Sequence, residues 1–277
     1  MYKIVEKREL APGIKLIKVL APEIAKKAKA GQFVILRVDE TGERIPLTLA
    51  DWDRKEGTIT LVFLEVGVST KKLGRLNKGD VILNLLGPLG NPTEVKDYGS
   101  VCVVGGGVGI AAAYPIARAL KEAGNKIVSI IGARSANLLI FEDEMKEYSD
   151  EIYISTDDGT KGYKGFVSDL LKDLLVKGYK FDMVYAVGPA LMMRAVADVT
   201  RPYKIKTIVS LNPIMVDGMG MCGACRVIVG GKTRFTCVDG PEFDAHEVDF
   251  TELIRRQRAF IEEEKKALEI FERGGLL

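Results

Sequence analysis

The chain contains one histidine, His246, among 277 residues. A Ser-His-Asp arrangement for nucleophilic catalysis is hard to build from that inventory, so acid-base chemistry by side chains is not the expected activity. Glutamine is nearly missing too, occurring only at Gln32 and Gln257, whereas lysine and glutamate abound, a balance reported for hyperthermophiles. No stretch approaches the roughly 18 uninterrupted apolar residues that span a bilayer. The opening MYKIVEKREL lacks the apolar core of a secretory signal. A soluble, cytoplasmic protein without a membrane partner is the expectation. Charge is evenly mixed, with 40 Lys+Arg against 38 Asp+Glu and a formal net charge of +2, and no long basic run, so nucleic acid is not an expected partner. The 4 cysteines form no disulfide framework, because three of them crowd one glycine-rich stretch. The fourth, Cys102, lies in the apolar run SVCVVGGG and reads as a small buried hydrophobe.

What is present suggests about two domains. From Tyr2 to about Leu86, short alternating runs such as KLIKVLA, QFVILRVD and GTITLVFLEV are broken by Gly, Pro and Asp, the spacing of an antiparallel barrel or sandwich. Within TGERIPLTLADWD, Arg44, Pro46, Leu47 and Thr48 begin an extended segment whose alternation presents Pro46 and Thr48 on one face. Gly67, Ser69 and Thr70 come just before a short helical stretch, whose first N–H groups can meet an anion such as phosphate. Ordinary turn chemistry explains each piece taken alone.

The segment GSVCVVGGGVGIAAAYPIARALKEAG is a buried strand, a glycine-rich turn and a helix, the first unit expected of a nucleotide-binding parallel sheet. Gly105, Gly106, Gly107 and Gly109, with Val108 between them, let backbone approach a pyrophosphate. The turn departs from G-x-G-x-x-G, since Ile110 stands three after Gly107, and from a P-loop, since no Gly-Lys-Ser/Thr follows. Three more strands are expected, ending respectively at Arg134, at Asp157 and Asp158, and at Gly188 and Pro189 ahead of a helix bearing Met192. Ligands in open parallel sheets collect at strand C-terminal ends, so these four loops should converge on one edge.

After KTIVSLNP the composition shifts to glycine, methionine and cysteine: DGMGMCGACRVIVGGKTRFTC. Cys222 and Cys225 form C-x2-C, and Cys237 follows a strand, a Gly230-Gly231 turn and a second strand. Plant-type 2Fe-2S sites use C-x4-C-x2-C plus a distant cysteine. Here Asp217 stands where the first thiolate belongs, so three thiolates and a carboxylate could hold iron or zinc, or Asp217 could cap a turn. The tail from Asp249 reads as a single packing helix with Leu253, Ile254, Phe260, Ile261, Leu268 and Phe271 near helical spacing. His246, near Cys237, is a candidate ligand or, more simply, a hydrogen-bonded structural residue.

An R-x-P-x-T segment, GGGVG, GPALMM and a cysteine loop in this order resemble the ferredoxin-NADP reductase superfamily over nearly the whole chain. Two relatives within it are similar: the electron-transfer subunit of dihydroorotate dehydrogenase, and the small subunit of NADH-dependent ferredoxin:NADP oxidoreductase, also known as a sulfide dehydrogenase subunit. MCGACRV and CVDGPEFD, with aspartate in the first ligand place, resemble the second. The resemblance implies an antiparallel FAD-binding β-barrel at 1–96, a Rossmann-like NAD domain at 97–212, and a 2Fe-2S segment with a C-terminal helix at 213–277. It implies that Arg44, Pro46, Leu47 and Thr48 lie along the flavin, with the Thr48 hydroxyl at N5 in the catalytic place of the superfamily's usual serine. Gly67, Ser69 and Thr70 would cradle the FAD pyrophosphate. Gly105, Gly106, Gly107, Val108, Gly109, Arg134, Asp157, Asp158, Gly188, Pro189 and Met192 would form the NAD(H) site, with NADP possible because Arg134 could meet a 2′-phosphate. Asp217, Cys222, Cys225 and Cys237 would hold the cluster. Hydride would pass from nicotinamide to flavin, and single electrons through the cluster to a large heterodimer partner carrying FAD and 4Fe-4S clusters, with ferredoxin served through the complex. The dihydroorotate-linked module is the alternative enzyme, and a zinc-stapled binding protein the non-enzymatic one.

Overall fold

The computed structural model describes residues 1–274. Its first unit is built from β1 (Tyr2–Ala11), β2 (Ile14–Leu20), α1 (Pro22–Lys27), β3 (Phe33–Arg37), β4 (Ile45–Asp53), β5 (Thr58–Leu64), α2 (Val68–Arg75), β6 (Val81–Ile82) and β7 (Asn84–Leu89). All pairings here are antiparallel, in the order β6-β1-β2-β5-β4-β3-β7, which curls round a core of Ile4, Ile17, Leu36, Leu49, Leu61 and Phe63. Alternation drives this, because every second residue of such strands points inward. The register that matters for function is β3 against β4, where Phe33 faces Thr48 and Ile35 faces Pro46.

The second unit comprises β8 (Ser100–Gly106), α3 (Gly109–Glu122), β9 (Lys126–Ala133), α4 (Glu142–Glu147), β10 (Glu151–Thr156), β11 (Tyr163–Lys164), α5 (Val167–Val176), β12 (Met183–Val187), α6 (Ala190–Thr200) and β13 (Lys206–Ser210). The sheet order β11-β10-β9-β8-β12-β13 is parallel throughout. Its central strands are continuous apolar runs, VCVV, IVSII and VYAV, as strands covered on both faces must be. The chain then forms the hairpin β14 (Arg226–Val229) and β15 (Lys232–Phe235), the short α7 (Thr236–Asp239), and β16 (Glu242–Asp244), which adds antiparallel to β13.

The tail is two helices, α8 (Phe250–Gln257) and α9 (Ile261–Glu272), and not the single helix expected. No Gly or Pro breaks it. Tertiary contacts override propensity: α8 buries Phe250 and Leu253 against the parallel-sheet core, whereas α9 runs back to the barrel, where Phe271 lies under Arg75 of α2 and Lys71 pairs with Glu272. Among the described residues no helix is long and apolar enough to cross a membrane.

Candidate functional site: a barrel face, a sheet edge and a cysteine loop

Ala50 on β4 and Val62 on β5 share a buried cluster with Ile110, Ala111, Ala113 and Tyr114 of α3, and Arg118 of α3 binds Asp51 at 2.9 Å. That contact brings the strand of Pro46, Leu47 and Thr48 against the helix that begins at Gly109. Thr48 is half-buried and Arg44 exposed. At the start of α2, Thr70 accepts the Gly67 N–H at 3.1 Å and returns its hydroxyl to the Gly67 carbonyl, an internally satisfied cap. Ser69 lies inside the first turn and donates to Glu43 at 3.3 Å. Nothing lies within 4 Å of a β-carbon placed at Gly67. The backbone there is open to a ligand, as a dinucleotide cradle requires.

The sheet's C-terminal edge gathers the expected nucleotide residues. Gly107 has φ +56° and donates its N–H to Gly132 at 2.8 Å. The turn carrying Asp157 and Asp158 lies on the end of β9: their N–H groups reach the Ala133 and Arg134 carbonyls at 3.2 and 3.1 Å. The Thr160 hydroxyl and N–H hold the Asp158 carboxyl below the usual range. Across the edge, Met192 of α6 packs against both Gly106 and Gly188, and Pro189 caps α6. Phe166 shows 60% of its surface although it is a large aromatic, and it follows Gly165, whose N–H bonds Thr156 at the end of β10. Sequence reasoning gave Phe166 no role, and its only signal was an aromatic next to a glycine at a helix start.

In the cysteine loop the Asp217 carboxylate accepts three N–H bonds, from Met219 at 2.9 Å, Met221 at 3.1 Å and Cys222 at 2.7 Å. Those bonds, Met219's first, hold its pKa below the usual range. Cys222 is exposed, whereas Cys225 and Cys237 are buried with their sulfurs 3.2 Å apart. Burial, then the neighbouring Cys225, pushes the Cys237 thiol up to about 12. A metal held by these thiols would have to displace their protons. Among the described residues no three His, Cys, Asp or Glu side chains gather as a single metal ion would need. The candidate donors come instead as two couples, Asp217 with Cys222, whose backbone N–H it accepts, and Cys225 with Cys237, whose sulfurs meet. A binuclear cluster, whose irons share bridging sulfides, asks for two protein donors per iron, and the couples suit it better than tetrahedral zinc.

The loop is pressed onto the barrel. Phe33 and Ile35 of β3 pack with Met215, Cys225 and Cys237, and Arg44, Ile35 and Leu86 share a cleft of about 180 Å³ with Asp217 and Met219. His246 stands apart: its Nε2 meets the Thr200 hydroxyl at 3.0 Å and its carbonyl accepts from Arg201, a structural role. Glu242, to which sequence reasoning assigned nothing, is half-buried where Thr93 reaches it at 2.5 Å beside Tyr185. Desolvation raises its pKa.

Residues 212–249 match the iron-sulfur cluster binding domain of dihydroorotate dehydrogenase B, and residues 103–198 an oxidoreductase NAD-binding domain. The dihydroorotate dehydrogenase B (NAD(+)), electron transfer subunit homolog of Thermotoga maritima is 50% identical over 271 residues, covering 98% of this chain and 95% of its own length. The chain belongs to the dihydroorotate dehydrogenase B electron-transfer subunit family. The electron transfer subunit of that enzyme from Clostridium perfringens is 32% identical, covering 90% of this chain and 97% of its own. A solved structure of an NADH-dependent reduced ferredoxin-NADP oxidoreductase, described for flavin-based electron bifurcation, superposes with a TM-score of 0.93 at 49% identity over 98% of each chain. Phthalate dioxygenase reductase, at 19% identity and a TM-score of 0.58, shares the fold. This family member is thus an oxidoreductase subunit with the barrel, parallel sheet and iron-sulfur segment expected of the ferredoxin-NADP reductase superfamily.

Proposed function

We propose that this chain is the electron-entry subunit of an NADH-dependent ferredoxin-NADP oxidoreductase. It takes hydride from NADH onto FAD and passes single electrons through a 2Fe-2S cluster to a larger heterodimer partner that carries FAD and 4Fe-4S clusters and serves ferredoxin. When bound, the flavin would supply the conversion between a hydride pair and single electrons, chemistry that belongs to the cofactor. The chain's own residues bind and orient. Thr48 offers a hydroxyl at the flavin edge, with Arg44, Pro46 and Leu47 along the ring system and Gly67, Ser69 and Thr70 at the pyrophosphate. Gly105, Gly106, Gly107, Val108, Gly109, Gly188, Pro189 and Met192 shape the nicotinamide side. Asp157 and Asp158 accept ribose hydroxyls and repel a 2′-phosphate, which favours NAD over NADP even though Arg134 is close. Phe166 offers its exposed ring to the adenine.

The observation that supports this reading is the Asp217 carboxylate, bound to the Cys222 N–H at 2.7 Å beside the Cys225–Cys237 couple, in the sequence place of a first thiolate donor. The 49% identity to the oxidoreductase structure supports it. A second reading, electron transfer for a dihydroorotate dehydrogenase, draws support from the name of the Thermotoga maritima relative. Affinity purification from the native organism separates the two. A large partner with 4Fe-4S cysteine motifs supports the first reading, and a barrel dehydrogenase supports the second. Reduction of the isolated yellow-brown subunit by NADH, compared with NADPH, tests the nucleotide assignment.

A further inference from the structure

Helix α8 lies beyond the matched segment 212–249, yet it sends one side chain into the cysteine loop. Asp249 caps α8 by accepting the Glu252 N–H at 2.9 Å, and Phe250 and Leu253 fix its buried face. One turn after Leu253, Arg256 donates through Nη2 to the Ala224 carbonyl at 3.1 Å. Ala224 sits between Cys222 and Cys225, so this bond fastens the C-x2-C turn from outside the loop. The Arg256 Nε is shut off from water and has no acceptor among the described residues. It borders a groove of about 320 Å³ whose walls include Pro213, Ile214 and Phe260.

A desolvated guanidinium N–H without an acceptor is costly unless negative charge faces it. The adjacent carboxylate, Glu252, is engaged by Arg255 at 2.7 and 2.8 Å. Arg226 makes the comparable bond on the other side, to the Gly223 carbonyl at 3.1 Å, but it is exposed and its charge is screened by water. Of the two arginines that bind the loop's carbonyls, half-buried Arg256 is the one whose field is less attenuated by water, with Glu252 offsetting part of it.

We propose that Arg256 is a positioning residue of the iron-sulfur site, clamping the C-x2-C carbonyl and holding a weakly screened positive charge against the cluster. The cluster gains a negative charge on reduction, so this field favours the reduced form and raises the midpoint potential. The inference rests on reading Cys222 and Cys225 as cluster ligands.

The test uses the full chain reconstituted with iron and sulfide: metal content first, then a redox titration followed by electron paramagnetic resonance. Relative to wild type, Arg256→Gln should lower the midpoint potential. Arg256→Lys, which keeps the charge and loses the planar fork, should fall between. Arg255→Gln, an exposed neighbour, should match wild type. A wild-type potential in Arg256→Gln, equal shifts in the two Arg256 variants, or loss of the cluster from both would overturn the proposal. A wild-type chain that takes up no iron and sulfide would instead remove the cluster reading beneath it, and the metal analysis shows that before any potential is measured.

Discussion

The chain has two glycine-rich stretches, and their glycines answer different needs. In the sheet turn, Gly105, Gly106 and Gly109 provide space: a β-carbon at Gly109 would stand 2.6 Å from the Val187 carbonyl oxygen, and one at Gly105 3.0 Å from the Ile110 Cα. Within this turn only Gly107 combines positive φ, +56°, with open surroundings, so of these four glycines it leaves its backbone most accessible. In the cysteine loop, Gly218, Gly220 and Gly223 have φ of +74°, +82° and +68°, so there glycine supplies a backbone path that L-residues resist. One stretch is shaped chiefly by its packing neighbours; the other needs its dihedral angles first, although Gly218 is also pressed by Ile35 and Leu89, each 2.7 Å from a β-carbon placed there.

Substitutions can break that contrast, and the largest effect is expected at Gly109. Gly109→Ala should cost about 3 kcal/mol by overpacking, read as a lower denaturation midpoint even without nucleotide. Asp217→Cys removes three loop hydrogen bonds and should destabilise the metal-free chain by about 2 kcal/mol. In the reconstituted protein it should change the visible spectrum and midpoint potential. Unchanged values would mean that the carboxylate fastens the loop without touching iron. Gly107→Ala meets no neighbour, so its stability cost should be only about 1 kcal/mol of dihedral strain. The main loss should be NADH affinity, by about tenfold in a fluorescence titration. A stability loss matching that of Gly109→Ala would erase the distinction between the two kinds of glycine.

The smallest effect is expected at Glu242, away from both stretches. Its folded pKa is raised by burial, so the folded chain holds the proton more tightly than the unfolded chain does. Stability is full below the ordinary glutamate range, about 4.3, and declines as pH rises through the folded value. Glu242→Gln mimics the protonated acid. Its melting curve should coincide with wild type at low pH and lie above it as pH increases; parallel pH profiles would contradict this.

The architecture was legible because its signals are local. Alternation gave the barrel strands, continuous apolar runs gave VCVV, IVSII and VYAV, and Gly230-Gly231 marked the β14–β15 hairpin. The packing role of Gly109 was not legible, because the Val187 carbonyl it must clear lies far along the chain. Nor was the break between α8 and α9, which no Gly or Pro announces and which follows from Phe271 reaching Arg75. Arg256, Phe166 and Glu242 escaped for the same reason: each takes its meaning from partners supplied by other segments. The cysteine loop showed its candidate donor types in sequence, but their sorting into two couples depends on how the loop folds back on itself.

Strand β3 carries one further consequence. Phe33 is paired across the ladder with Thr48 and packed among Cys225 and Cys237, so one residue joins the strand proposed to face the flavin to the cysteine couple. Electron tunnelling falls off exponentially with separation, and a separation set by a hinge would fluctuate with each opening. On the function proposed above, the β3–β4 ladder and the side chains packed on it would set the gap between flavin and cluster, so that gap would be as stiff as the sheet.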